Sequence, residues 1–263
     1  MDGSYPYWRA GIQYPYLFTR LTVNPSTQLQ STGSPDTISF RAVFLWEKEI
    51  IMHTVNSLAS VNESVKISEI SLELLLNYYE FSLTPYIFKY EVEGMPTIEL
   101  TFPPAQFCHL LAIEKIMTAN RKNFKNAREY RGLLGYEKIK NCSITLETLK
   151  KPPYNEQLGR NKRKFTNFHL IPNLLEQPEL IKFDGSKVNP STEIRADIVF
   201  YNQITNYYLH LGIIKTKEEG NKFVAKSFFV HSKSGTSDGN KFIVNQEKII
   251  ITKIIKEKIE IQI

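Results

Sequence analysis

Cysteine is nearly missing from this 263-residue chain: Cys108 and Cys142 cannot build a disulfide framework, and no Cys/His spacing has the form of a zinc site. Both are expected to be small core residues. Long apolar runs are missing too. No stretch approaches the roughly 18 apolar residues that span a bilayer. Residues 1–9 carry Asp2, Tyr5, Pro6, Tyr7 and Trp8 rather than the basic-then-apolar order of a secretory leader. A cytoplasmic protein with no membrane partner is expected. No glycine loop for phosphate is found, since Gly132-Leu133-Leu134-Gly135 is not followed by Lys-Ser/Thr. The aspartates are scattered: Asp184, Asp197 and Asp238 fall on different predicted elements, which argues against a carboxylate cage for magnesium. No metal and no cofactor is expected.

The composition is ordinary for a globular protein, with 42% hydrophobic and 23% charged residues, while the 12% aromatic content suits a substantial sheet. A net charge of +6 and a pI near 9.1 favour an anionic partner such as nucleic acid.

Residues 1 to about 40, rich in Pro, Ser, Thr, Gly and Gln, read as an arm, a partner-docking peptide or a partly disordered segment, and a short apolar run follows at Ala42-Val43-Phe44-Leu45-Trp46. Residues 1–66 are therefore set apart as an arm or small subdomain, with the main domain at 67–263. In that domain Ser68 is the expected N-cap of a helix ending near Phe81. Residues 86–92 and 97–102 form a hairpin turned by Gly94 and Pro96. Pro103 and Pro104 open a helix running to about Met117, and Ser143 to Lys150 reads as a short helix. Residues 150–165, with Arg160-Asn161-Lys162-Arg163-Lys164, read as a basic loop that is either solvated or contacts phosphate, and a helix is expected over 165–175. Strands follow at 194–201, 207–215 and 223–230, then a glycine-rich turn at 234–240 and a lysine-bearing run, 249–263, suited to a sheet edge. The order specifies an α+β fold, with N-terminal helices and a hairpin packed on a C-terminal antiparallel sheet.

Five histidines are present, and the informative one is His109 in Phe107-Cys108-His109-Leu110-Leu111. On a continuous helix His109 shares a face with Ala112, Ile113 and Ile116, while Glu114 and Lys115 lie on the other side. A histidine held there is either a satisfied core residue or a base kept neutral by desolvation. His169, before Pro172, reads as structural or exposed. A second dense group is Lys226-Ser227-Phe228-Phe229-Val230-His231. Strand alternation puts Lys226 and Ser227 on opposite faces unless a bulge intervenes. Lys226 is either a solvent-facing strand residue or a cation for a phosphate, and Ser227 either a hydroxyl bonded to backbone or a phosphate donor. Arg195 is expected to start a strand with Asp197 on the same side. Tyr130, Arg131 and Tyr136 could supply base stacking and phosphate contacts, or ordinary packing. These residue types suit metal-free phosphodiester chemistry, which needs a base for a ribose 2′-hydroxyl, an acid for the leaving oxygen, and donors for the developing phosphorane charge.

Taken in order, Phe107-Cys108-His109-Leu110-Leu111, Tyr130-Arg131-Gly132, Gly135-Tyr136, Ser143-Ile144-Thr145-Leu146, Arg195-Ala196-Asp197, Tyr208-Leu209-His210-Leu211-Gly212 and Lys226-Ser227-Phe228-Phe229 resemble the fourth class of phage-associated barnase–EndoU–colicin–RelE-like nuclease domains over roughly residues 70–235. The family pattern has a glycine after Leu111, where this chain has Ala112. The resemblance implies a metal-independent ribonuclease whose sheet face binds RNA, encoded on a phage or mobile element as a toxin or defence effector. It implies an active site at His109 and the Ser227 motif, with Tyr130, Arg131 and Arg195 as accessory candidates; together with the reading of residue types, the candidate catalytic set is His109, Ser227, Lys226 and Arg195, and the candidate RNA contacts are Tyr130, Arg131, Tyr136, Lys162, Arg163 and Lys164. RNA is then the substrate, and an antitoxin or immunity protein a natural partner. Two other readings stand beside it: a catalytically silent domain of the same fold that grips nucleic acid or protein, and an interaction protein that docks through its leading arm.

Overall fold

The computed structural model describes residues 52–120, 124–189, 191–204, 206–217, 220–233 and 239–260. The expected leading arm, the run Ala42-Val43-Phe44-Leu45-Trp46 and most of the glycine-rich turn lie outside these residues. The strands are β1 (Tyr86–Val92), β2 (Met95–Thr101), β3 (Glu179–Lys182), β4 (Ile198–Ile204), β5 (Tyr207–Lys215), β6 (Lys222–Ser232), β7 (Glu247–Ile249) and β8 (Ile251–Lys258). The helices are α1 (Val55–Ala59), α2 (Leu72–Ser82), α3 (Phe107–Leu110), α4 (Ile113–Met117), α5 (Gly132–Lys140), α6 (Leu146–Lys150), α7 (Asn155–Thr166) and α8 (Ile171–Glu176). The α+β class is the expected one.

The hairpin β1–β2 forms as the alternation of buried residues dictates, but it belongs to the sheet rather than packing on it. The strand order is β7-β3-β4-β5-β6-β2-β1-β8. Every neighbouring pair is antiparallel except β2 and β6, where Glu99, Leu100 and Thr101 run parallel to Lys222, Phe223 and Val224. The helices fill the long crossover that a parallel joint requires. The expected terminal run splits in two: β7 pairs with β3 and β8 with β1, although only Ile250 separates them. Glu93 donates its backbone N–H to the Ile250 carbonyl at 3.0 Å. One nearly continuous strand thus meets both margins of the sheet and closes it.

Aromatic rings fill the space between helices and sheet: Tyr79, Phe88, Phe102, Phe107, Phe168 and Phe228 are each no more than 1% exposed. Phe107 meets Phe168 edge-on at 5.6 Å, and Phe168 meets Phe228 at 6.3 Å, linking α3 to β6. Buried tyrosine hydroxyls donate to backbone carbonyls, Tyr78 to His169, Tyr79 to Pro103 and Tyr90 to Leu175, as buried polar groups must. A smaller cluster of Ile181, Phe183, Val199, Tyr201, Phe229 and Phe242 covers the other face.

Several local expectations change. The cap of α2 is Ser71, whose Oγ accepts the Leu74 N–H at 3.0 Å, not Ser68. The supposed basic loop is α7: Leu158 and Phe165 bury one side, and Lys162 and Arg163 stay on the exposed side. An amphipathic helix with a charged face looks like a loop when only its charge is counted. The helix expected over 165–175 breaks at buried Asn167, whose Nδ2 donates to the Arg163 carbonyl at 2.9 Å. Residues 53–65, grouped with the leading segment by sequence, pack onto this domain through buried Leu58 and Val65. His169 is structural, its Nε2 2.9 Å from the Glu63 carbonyl. Cys108 is buried, but Cys142 is exposed.

Candidate active site

The helix expected over 103–117 is not continuous. A 3-10 turn at Pro104–Gln106 leads into α3, the chain turns at Leu111 and Ala112, and α4 begins afresh. Ala112 holds φ 56° and ψ 32°, the left-handed region where a glycine carries no Cβ penalty. This turn resets the helical phase. Leu110, Leu111, Ile113 and Ile116 all bury completely. His109 does not share their face, as helical periodicity had it, but opens with Glu114 and Lys115 into a cavity of about 460 Å3.

Strand β6 forms the facing wall. Its register with β5 shifts: Gly212 pairs with Ser227 and Ile213 with Ala225, leaving Lys226 as an extra residue. A bulge of this kind lets two successive side chains lean to one side. Lys226 and Ser227 accordingly line the same cavity. Gly212 leaves room opposite the bulge: a Cβ there would sit 3.0 Å from that of Ala196 and 3.4 Å from that of Ser227.

Lys226 Nζ lies 3.5 Å from His109 Nε2. An ammonium is a donor only, so Nε2 is the lone-pair nitrogen and the ring proton is assigned to Nδ1. Burial, then the charges of Lys226 and Arg131, push the His109 pKa down to about 4. The ring is therefore neutral and ready to accept a proton. Arg131 holds Glu114 across 3.6 Å at the rim.

Arg195 also lines this cavity, from the loop before β4 rather than from a strand. It does not act beside Asp197. The Asp197 carboxylate accepts the Lys215 N–H at 2.7 Å and borders another cavity, about 630 Å3, framed by Met95, Lys182 and Ile249. None of His109, Lys226, Ser227 and Arg195 reaches that larger space. The smaller cavity is where the chemistry-bearing groups meet, so we take it as the site.

The expected RNA contacts divide. Tyr136 is corrected: its ring is 5% exposed, edge-on to Phe107 at 6.5 Å, and its hydroxyl donates to Glu80, so no base can stack on it. Tyr130 is half-buried with the Lys138 ammonium 5.8 Å from its ring. The glycines between them are structural. Gly132 takes φ 57°, and a Cβ on Gly135 would come within 2.6 Å of the Tyr130 carbonyl carbon and 2.8 Å of Cys108 Sγ. Lys162 and Arg163 lie exposed on α7, with Arg163 5.7 Å from the Tyr207 ring. Lys164 is half-buried in the last turn of α7. Sequence reading missed Glu114, Lys115, Thr118 and Glu193 as cavity residues; the phase break at Ala112 hid the first three. It also passed over Gly235-Thr236-Ser237-Asp238-Gly239, the Gly-x-Ser-x-Gly spacing of a nucleophile elbow, most of which lies outside the described residues.

Among the described residues, no three His, Cys, Asp or Glu side chains converge as metal ligands would, and no helix is long and apolar enough to cross a membrane. A family model described as phage-Barnase-EndoU-ColicinE5/D-RelE like nuclease 4 matches residues 72–263. Comparison with curated proteins and with solved structures gave no match.

Proposed function

The chain belongs to the phage-Barnase-EndoU-ColicinE5/D-RelE like nuclease 4 family, and from that premise we propose that it is an endoribonuclease that cleaves RNA through its own 2′-hydroxyl. One observation carries the reading: His109, Lys226, Ser227 and Arg195, from three distant parts of the chain, line one cavity. His109 Nε2 takes the 2′-hydroxyl proton as the 2′-oxygen attacks phosphorus. The bond from phosphorus to the 5′-oxygen breaks, and that oxygen takes a proton from Lys226. The products are a 2′,3′-cyclic phosphate and a 5′-hydroxyl.

The charge arrangement supports these roles. A phosphate entering between Lys226 and His109 draws the ammonium away from Nε2, frees the lone pair and, by its own charge, raises the ring's basicity. Lys226 and Arg195 then face the oxygens where charge develops, and the Ser227 hydroxyl donates to one of them. Because the chain furnishes these cations itself, the proposal is metal-independent. The positive net charge suits the substrate. We extend the proposal to a toxin or defence effector of a mobile element, held in check by an antitoxin or immunity protein.

The test is cleavage of end-labelled RNA in EDTA by wild type and His109→Ala. Wild type should leave a 2′,3′-cyclic phosphate, and the variant should lose about 10²- to 10⁴-fold in rate, the usual worth of a general base. Full activity of His109→Ala sinks the mechanism; a product without the cyclic phosphate sinks the chemistry. Salt-sensitive RNA binding with no turnover by wild type would favour a silent binding domain. Growth arrest on expression of wild type but not His109→Ala tests the toxin role.

A further inference from the structure

The closed sheet has a cavity of about 630 Å3 at one end, larger than the catalytic one and inside the usual range of small-molecule sites. Its walls come from strand ends: Met95 opens β2, Lys182 ends β3, Ile198 opens β4, Lys215 ends β5 and Ile249 ends β7. The helices join the sheet at its other end, where α2 precedes β1, α8 precedes β3 and β2 leads toward α3. The mouth of a closed sheet is a common place for a ligand. Buried Ile198 and Phe223 give this one an apolar floor, with Met95 and Ile249 beside them. Three lysines (182, 215 and 248) and three carboxylates (Glu93, Asp197 and Glu247) border it, so it carries no net formal charge and does not select an anion. Part of that charge is spent within the protein. Lys182 meets Glu247 at 3.8 Å, and Lys248 meets Glu179 at 3.5 Å. Asp197 gives Oδ2 to the Lys215 backbone N–H, which leaves Oδ1 as an acceptor. Among the described residues, the Lys215 ammonium and the Glu93 carboxylate have no ion-pair partner.

Two segments run from this mouth to the catalytic cavity. Asp197 lines the mouth and Arg195 the catalytic cavity, at most about 7 Å of chain apart. Phe223 lines the mouth and Lys226 the catalytic cavity, at most about 11 Å apart. A ligand suited to the mouth has apolar faces, no net charge, and both donors and acceptors on its edge. A nucleobase has those properties. We propose that the mouth is a nucleobase pocket and that it takes a base next to the scissile phosphate. The Lys215 ammonium donates to a carbonyl oxygen or ring nitrogen of the base, while Asp197 or Glu93 accepts from an N–H. The mouth thereby discriminates among RNA sequences, whereas the catalytic cavity acts on the phosphodiester that all of them share. Its place along an RNA strand rests on the ribonuclease reading, but base binding itself does not.

The experiment titrates the full chain with adenosine, guanosine, cytidine and uridine, which carry no phosphate for the catalytic cavity, and follows the Met95 methyl signal by NMR. At least one nucleoside should shift that signal, and His109→Ala should bind it as wild type does. Asp197→Asn and Lys215→Met should each bind it about tenfold more weakly, the loss of one charge-assisted hydrogen bond. If Asp197→Asn fails to fold, Lys215→Met, at an exposed position, is read alone. No shift with any nucleoside, or equal affinity in wild type and the variants, overturns the pocket. The second arm compares kcat/KM on four homopolymeric oligoribonucleotides. Wild type should favour the base that binds best, and Lys215→Met should lose about tenfold on that RNA while cutting the poorest one as wild type does. An unchanged base preference in a variant that has lost nucleoside binding overturns the role in RNA. Nucleoside binding that depends on Lys215, in a protein that cuts no RNA, leaves the pocket standing while the ribonuclease reading falls.

Discussion

His109 Nε2 and Lys226 Nζ stand 3.5 Å apart, across the interface between α3 and the bulged strand β6. Burial and then this ammonium keep the imidazole neutral, and the ammonium is aimed at its lone pair. In the proposed mechanism a phosphate entering the cavity separates the two. This pair and three other features of the fold can each be tested by substitution.

Removing the lysine charge should relax the histidine. The His109 pKa, about 4 with Lys226 present, should climb toward its ordinary value near 6.5 in Lys226→Met, followed by the ring-proton NMR shift against pH. Cleavage by this variant should be slower, and its acidic limb should move to higher pH, because a base is lost as pH falls through its pKa. An unmoved titration would show that burial alone sets the value.

The left-handed residue should answer to substitution in opposite directions. Ala112 at φ 56° bears a Cβ penalty of about 1–2 kcal/mol that glycine lacks, offset in part by the larger entropy of glycine in the unfolded chain. Ala112→Gly should therefore stabilise by up to about 1 kcal/mol, and Ala112→Val should destabilise by more than that, both read from urea denaturation. A loss of stability in Ala112→Gly would mean that the turn between α3 and α4 is not strained.

At Gly135 any side chain meets backbone. A Cβ 2.6 Å from the Tyr130 carbonyl carbon and 2.8 Å from Cys108 Sγ must push apart the segments carrying Arg131 and His109. Gly135→Ala should cost about 1–3 kcal/mol and lower activity beyond what stability explains. Activity equal to wild type in a folded Gly135→Ala would show that the site tolerates the shift.

Acid should weaken the fold through His169. Burial holds its pKa near 4 against the bond to Glu63. The unfolded chain binds this proton below about pH 6.5 and the folded chain only near 4, so stability falls as pH drops through that window, by about 3 kcal/mol in all. His169→Gln keeps a donor for Glu63 without a titrating ring and should make the pH dependence of the denaturation midpoint shallower between pH 7 and 4.5, the share of the similarly depressed His109 remaining. An unchanged slope would place the acid sensitivity elsewhere.

Much of the fold was legible in the sequence, because hairpins and apolar strands are written in local alternation and turn chemistry. Residues 86–92 and 207–215 form strands with the expected bounds. The ordered motifs name His109, Lys226, Ser227 and Arg195, and these four residues line one cavity. What failed was whatever depends on a partner element. Tyr136 reads as a stacking surface until Phe107 and Glu80 cover it, and Arg160 to Lys164 read as a loop until α7 finds β6.

The sequence by itself determined the class of fold, the ordered motifs of the nuclease family and the positive net charge, since these depend on residue type and local order. Tertiary structure alone decided that residues of these motifs meet. The left-handed turn at Ala112 swings Glu114 and Lys115 into the cavity that His109 faces. The extra residue in β6 turns Lys226 and Ser227 to the same side. Both are small departures from regular periodicity. They are set by the packing of one element on another, so no reading of a single segment contains them.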